Sequence, residues 1–486
     1  VRRMYQVVGV ATNVKFAVHN SSLENVYRGV MERVFYVKEG GKFCAPPQPA
    51  PGIYRKRLAY VKSYLASVLP ETAPISTEQF VSMYEGRRRT IYQKAADSLC
   101  SRPISKNDAS IRCFGKAEKT NISAKPDAVM RIVSPRDPRY NIVVGRYLKP
   151  IEHMIYGAIA KLFGETTVSK GLNASEVGNL LKRKWTKYAN PVAVGLDASR
   201  FDQHVSKQAL EWEHGIYLDL YRNCRELQMY LGWQLKNRCT AYFPEGKIKY
   251  VVNGTRMSGD MNTALGNCLI MCSLVYAYAR SIGLKDFSLI NNGDDCVVVL
   301  DKRNLGLLMG KLPSYFKEMG FTMISETPVY NLEEIEFCQA HPVFNGNEYV
   351  MVRNPSIAMS KDSYSIKPLD CKSVYHKWIG AVGMCGASLS GGVPIMQEYY
   401  QCYIRGSHGK CLKNDLLLET GMAQMARGMK SRWSAITPAA RASFYLAFKI
   451  TPEMQICVEN HLSAFTPEWE KVTKVTDHDC GVPWIL

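Results

Sequence analysis

The stretch NNGDDCVVVL, residues 291–300, decides how this chain is read. It opens on Asn-Asn-Gly-Asp-Asp, closes on a valine-rich run, and follows a second apolar run, FSLI, at residues 287–290. Glycine beside Asn and Asp is turn chemistry, so the segment predicts a β-hairpin with Asp294 and Asp295 at its tip. Two adjacent carboxylates beside a buried strand repel each other and resist dehydration, so something positive must share them. A lone Gly-Asp-Asp is better read as a solvated surface turn, and the neighbouring motifs must decide.

Working outward, PVAVGLDASRFDQHVS at residues 191–206 predicts an apolar strand ending in Asp197, a turn, and a helix start with Asp202. If that strand neighbours the hairpin, Asp197 and Asp294 face each other and three carboxylates gather at one sheet edge. They cannot all stay ionised there without a cation. The usual solution is a pair of divalent ions on oxygen ligands, about 3.5–4 Å apart, clamping both ends of a phosphoryl transfer. Two Mg²⁺ ions, with Mn²⁺ as the alternative, and a nucleotide phosphate are therefore expected at Asp197, Asp294 and Asp295.

A third segment, SGDMNTALGN at residues 258–267, fits S-G-x-x-x-T-x-x-x-N and contains Ser258, Thr263 and Asn267. Thr263 and Asn267 are four apart and share one helix face. The segment leads into CLIMCSLVYAYA at residues 268–279, the longest apolar run. That run falls short of the roughly 20 residues that span a bilayer and predicts a buried helix.

The 486 residues exceed one ordinary core, and 62 Lys and Arg against 43 Asp and Glu leave a net charge of +19. Such an excess points to a polyanion, most commonly nucleic acid. Part of it is strung along residues 114–146, where Lys116, Lys119, Lys125, Arg131, Arg136, Arg139 and Arg146 outnumber Glu118, Asp127 and Asp137. The prolines there predict strand and loop rather than helix, an arrangement that lines a phosphate channel. Residues 57–99 predict largely helix, with Arg87, Arg88 and Arg89 at the start of its last segment. The proline-rich residues 44–52 predict an extended linker, residues 240–260 a strand-turn-strand, and residues beyond 352 mostly helix and loop. The 15 cysteines include no C-x-x-C pair and predict reduced thiols. The clusters Cys402, His408, Cys411 and His478, Cys480 are poorly spaced for a structural zinc.

In order, the D-x4-D of Asp197 and Asp202, the S-G-x3-T-x3-N and the G-D-D resemble motifs A, B and C of viral RNA-dependent RNA polymerases. KPDAVMRIVSPR at residues 125–136 resembles motif F, and EFCQ at residues 336–339 resembles motif E. ERVFYV at residues 32–37 and GRRRTIYQKAADSL at residues 86–99 resemble the tombusvirus family, carmovirus-like members included.

The resemblance implies a mixed α+β right-hand polymerase with fingers, palm and thumb, its palm an antiparallel sheet packed on helices. Its boundaries would be an N-terminal extension and fingers at 1–190, palm at 191–206, a fingers insertion at 207–253, palm at 254–345 and thumb at 346–486. It implies metal holding by Asp197, Asp294 and Asp295, and nucleotide binding by Lys125, Arg131, Asp202, Ser258, Thr263 and Asn267. Arg87, Arg88, Arg89, Lys116 and Arg136 are the expected template contacts. The implied partners are an RNA template and product, nucleoside triphosphates, and an upstream viral replication protein that anchors in host membrane. The chain, which begins at Val1, would be the readthrough portion, working on membrane-associated complexes in the host cytoplasm. One part departs: GFTMISE at residues 320–326 lacks a motif D base, leaving Lys317 and Lys311 as the nearby candidates. A reverse transcriptase and a catalytically dead RNA-binding scaffold are the alternatives.

Overall fold

The computed structural model describes residues 2–411, 421–430 and 432–475. The expected hairpin and strand meet in one 4-stranded antiparallel sheet, in the order Ser288–Asn292, Asp295–Asp301, Pro191–Ala198, Met323–Ser325. Side chains alternate across a sheet, and here both faces are covered. Val192, Val194, Leu196, Cys296, Val298 and Leu300 face a core built with helices Pro138–Phe163 and Thr263–Ser281. Ala193, Ile290, Val297 and Val299 face a second core, shared with helices Ala174–Thr186, Lys372–Ser390 and Met396–Ser407. Two cores grip the valine-rich strands, while Asp197 and Asp294, at one end of the sheet, remain exposed. Burial of the scaffold thus fixes the position of groups that themselves stay accessible.

The apolar run is a buried helix as expected, with Leu265 to Val275 almost wholly inside. Residues 138–146 correct the expectation of strand and loop, because the helix Pro138–Phe163 begins inside that stretch. Asp137 caps it, its side chain accepting from the Arg139 N–H, and Pro138 occupies the first turn, where a missing N–H costs nothing. Upstream, only the short strands Phe114–Gly115, Thr120–Asn121 and Ile132–Val133 interrupt the loops. The expected helical stretch 57–99 divides into Ala59–Val68, Thr77–Ser82 and Gly86–Ser101, and a further short helix, Ile53–Arg57, precedes it.

The strand-turn-strand at residues 240–260 is a hairpin, Lys236–Phe243 with Gly246–Asn253, extended to a 3-stranded sheet by Ile111–Arg112. Its buried face, with Ile111, Cys239 and Ala241, packs on Val26 and Val30 of the helix Leu23–Val30. A third sheet joins distant parts of the chain: Met4–Gln6 lies between Tyr364–Ser365 and Thr473–Val475. Cys402 is buried, its thiol donating to the Tyr399 carbonyl, and His478 and Cys480 lie outside the described residues. Among the described residues no helix is long and apolar enough to cross a membrane.

Candidate active site

The hairpin tip is a two-residue turn, Gly293 and Asp294, between the paired Asn292 and Asp295. Gly293 has φ +80°, the sign a tight hairpin turn needs at its first central position. Asn291 explains the rest of the local sequence. Its buried amide donates to the Gly293 carbonyl at 2.6 Å and accepts from the Gly293 N–H at 3.1 Å, bracing the turn from inside.

The register sets Asp295 directly opposite Asp197, so their side chains leave the same face of the sheet. Asp294 is in the adjoining turn. Burial, with help from Asp294 and Asp197, pushes the Asp295 carboxyl up to about 6, against the hydrogen bond it accepts at 2.8 Å from the Cys338 N–H. Asp197 is also pushed up, by partial loss of water and then by Asp294, while the Lys125 charge offsets part of the shift. These carboxylates destabilise one another, and all offer hard oxygen donors, which is the chemistry of a divalent-cation site. The donor type and strand register therefore fit such a cation. Among the described residues no group of three or more acid, His or Cys side chains already converges as a metal cage.

Asp202 follows in the short helix Phe201–His204, where it feels the charge of Asp294. Its carboxylate accepts from the Asn267 amide at 2.8 Å. Burial raises its pKa, opposed by the Asn267 hydrogen bond and by the charges of Arg256 and Arg131. The Asn267 oxygen accepts from Arg256 Nε at 2.9 Å. Arg256 and Glu213 form a fully buried pair, and Glu213 also accepts from Asn262 at 2.7 Å and from Tyr217 at 2.8 Å. Thr263 does not join Asn267; its hydroxyl donates to the Met257 carbonyl at 2.9 Å and fastens the loop before the helix. Ser258 faces the basic strip, accepting from the Ser134 N–H at 3.1 Å and donating to the Ile132 carbonyl at 3.3 Å.

The basic residues divide. Lys125 and Arg131 are exposed, and their charges reach Asp197 and Asp202 respectively. Arg131 and Lys116 share Glu118, at 3.1 and 3.0 Å. Arg87, Arg88 and Arg89 are exposed in the first turn of Gly86–Ser101, against the positive end of its dipole, a placement that an anion would relieve. Arg136 stands apart from the template contacts expected of it. Its guanidinium is buried, paired with Asp260 and donating to Asn237 and the Ala109 carbonyl at 2.7 Å each. It holds the loop after the 3-stranded sheet to the basic strip, and offers no surface to a template.

Several neighbours act in ways that their sequence does not announce. Cys338 and Gln339, with φ +51° and +61°, twist the EFCQ segment so that the Cys338 N–H meets Asp295. Glu326 lies against Gly195, where a Cβ would come within 2.0 Å of its Oε2, and burial, Glu336, Asp295 and Asp197 all push its carboxyl up. Arg256 and Glu213 are visible in the sequence only as ordinary charged residues.

Comparison with known proteins agrees along nearly the whole chain. A family model described as viral RNA dependent RNA polymerase matches residues 1–470. The RNA-directed RNA polymerase of Tobacco necrosis virus (strain A) is 46% identical over 459 residues, covering 94% of this chain and 63% of that protein. That of Turnip crinkle virus is 44% identical over 468 residues, covering 95% and 60%. That of Maize chlorotic mottle virus is 41% identical over 471 residues, covering 96% and 49%. The chain thus spans about half to two thirds of the length of these relatives.

Proposed function

This chain belongs to the viral RNA dependent RNA polymerase family, and from that premise we propose that it copies a positive-strand viral RNA by adding ribonucleotides to an RNA 3′-hydroxyl. The observation that carries the reading is the juxtaposition of Asp197, Asp294 and Asp295 at one sheet edge with the Asp202–Asn267 pair beside them. The bond formed joins the 3′-oxygen to the α-phosphorus of a nucleoside triphosphate, and pyrophosphate leaves.

Asp197, Asp294 and Asp295 would hold two Mg²⁺ or Mn²⁺ ions. When bound, these supply the positive charge that stabilises a phosphoryl transfer. Lys125 and Arg131 neutralise the triphosphate. Asp202 and Asn267 read the ribose, with Ser258 and Thr263 setting the loop that presents Asn267. Asp295, held by the Cys338 N–H, assists from the second position. Arg87, Arg88, Arg89 and Lys116 take template phosphates.

In the right-hand reading, residues 1–190 and 207–253 are the N-terminal extension and fingers, 191–206 and 254–345 the palm, and 346–486 the thumb. The partners are RNA, nucleoside triphosphates, an upstream viral replication protein and, through it, host membrane, on replication complexes in the cytoplasm. Family membership is the support for those last assignments.

Asp294→Ala is the decisive variant. With Mg²⁺ and a short RNA template it is expected to lose nucleotide incorporation, by a factor of about 10³ or more, while still binding RNA. Near-normal incorporation by that variant would sink the assignment. The same assay run with deoxynucleotides separates the reverse-transcriptase reading, and a wild-type chain inactive on every template would favour the scaffold.

A further inference from the structure

The outer face of the 3-stranded sheet carries a charge pattern that the catalytic site does not use. In the hairpin, Lys236 pairs with Asn253, Arg238 with Val251, Thr240 with Lys249 and Tyr242 with Lys247. Directly opposite residues share a face. Every Lys and Arg of the hairpin therefore stands on one side, and Arg112, beside Thr240 on the neighbouring strand, joins them. All are exposed. None has a carboxylate partner among the described residues, and the only acid of the hairpin, Glu245, is in the turn. Two exposed apolar side chains lie among the cations: Tyr242, 66% exposed, and Val251, 49% exposed.

We infer that this face is a second RNA-binding surface, holding single-stranded RNA outside the catalytic edge. Same-face residues of a strand recur about every 6.6 Å, so the cations form a ladder that an extended phosphate backbone can follow. An exposed tyrosine on a sheet face stacks an unpaired base and has no use for a stacked duplex. The apolar area is too scattered to enter a lipid surface, which leaves a polyanion with exposed bases as the occupant. The sheet is also mechanically tied to the site. Asn237 on its inner face accepts from Arg136, whose ion-pair partner Asp260 belongs to the loop that carries Ser258. RNA on this face would thus be registered against the loop that positions the nucleotide.

The test uses the whole chain, a fluorescent 30-nucleotide single-stranded RNA, and binding isotherms across a salt series without nucleotides. Lys247→Gln/Lys249→Gln is expected to weaken binding and to lower the slope of log affinity against log salt by about 1.4, for two lost contacts at about 0.7 each. Tyr242→Ala is expected to weaken binding about tenfold with the slope unchanged. Both should keep the wild-type unfolding midpoint, and both should extend a primer on a template too short to leave the catalytic edge at near wild-type rate. Unchanged affinity and slope in both folded variants would overturn the inference. So would tighter binding to phosphatidylserine vesicles than to the RNA, lost in the double variant, which would make the face a membrane contact. The inference takes RNA as its polyanion from the proposed function, but the readouts part the two. An inactive chain that shows the slope change keeps the surface and loses the polymerase, and an active chain without it does the reverse.

Discussion

Arg256 has only N–H groups to offer, so the oxygen of Asn267 must face it, and the Asn267 N–H groups must point toward Asp202. One hydrogen is given to Asp202, and in the proposed reading the other would serve the nucleotide. A ribose 2′-hydroxyl that donates to Asp202 and accepts from Asn267 completes the set, and a deoxyribose leaves both polar groups unmatched. Asn267→Ala should therefore narrow the preference for GTP over dGTP about tenfold, the equivalent of one hydrogen bond of about 1.4 kcal/mol, mainly by slowing GTP. Arg256→Lys should narrow it less, because an ammonium also offers only N–H donors but cannot hold Glu213 through two nitrogens while a third serves Asn267. Ratios of incorporation efficiency on one template check both, and an unchanged ratio in active Asn267→Ala and Asp202→Ala variants would remove the pair from sugar selection. Glu213→Ala is a different experiment. It leaves the Arg256 guanidinium buried without a counter-charge, at a cost of about 3–5 kcal/mol, read as a lower denaturant midpoint.

Between elements, the decisive approach is backbone on backbone. A Cβ on Gly259 would come within 2.6 Å of Pro135 Cα and 2.8 Å of the Ser134 carbonyl oxygen. Neither can swing away as a side-chain tip would. Gly259→Ala should push the Ser258 loop off the basic strip and break the Ser134–Ser258 hydrogen bond. The expected result is a KM for nucleotide raised severalfold with RNA affinity retained; Ser258→Ala, which loses only the hydroxyl, should show a smaller rise. Equal nucleotide KM in wild type and Gly259→Ala would show that this junction does not set the nucleotide site. The hairpin, the Asp197 strand and the buried helix were readable because turn residues and hydrophobic period are local signals. The helix from Pro138 is also signalled, by Asp137 and Pro138, but Pro126, Pro135 and Pro138 together favour strand and loop as well. Arg136 looked like its basic neighbours because its partner Asp260 is 124 residues away. Cys338 is 43 residues from Asp295, and what matters there is a backbone N–H, which every residue but proline has. Sequence type cannot announce such a contact; only the fold can.

At the scale of the whole molecule, the first twenty residues tie together parts of the chain that lie far apart in sequence. Met4–Gln6 pairs with strands at Tyr364–Ser365 and Thr473–Val475, Tyr5 donates to Asp370 at 2.6 Å, and Arg2 donates to the carbonyls of His19, Gly115 and Lys116. His19 is the histidine of this clasp. It is 5% exposed, and its Nε2 lies 2.8 Å from the Ala128 carbonyl, in the basic strip. Burial pulls its pKa down from 6.5 to about 4; the Ala128 hydrogen bond and Glu118 oppose the shift, while Arg28 and Arg33 add to it. A histidine depressed in the folded state binds its proton more readily when unfolded. Its contribution to stability is therefore present above pH 6.5, and is lost as pH falls through about 4. Buried His204 and His214 are depressed too, so acid alone does not isolate the clasp. His19→Gln does, since an amide N–H can still serve the Ala128 carbonyl without titrating. Wild type and variant should unfold at similar temperatures at pH 7, and the wild type should lose more of its midpoint between pH 6.5 and 4. Parallel losses in the two proteins across that window would show that His19 is no acid-sensitive point of the clasp.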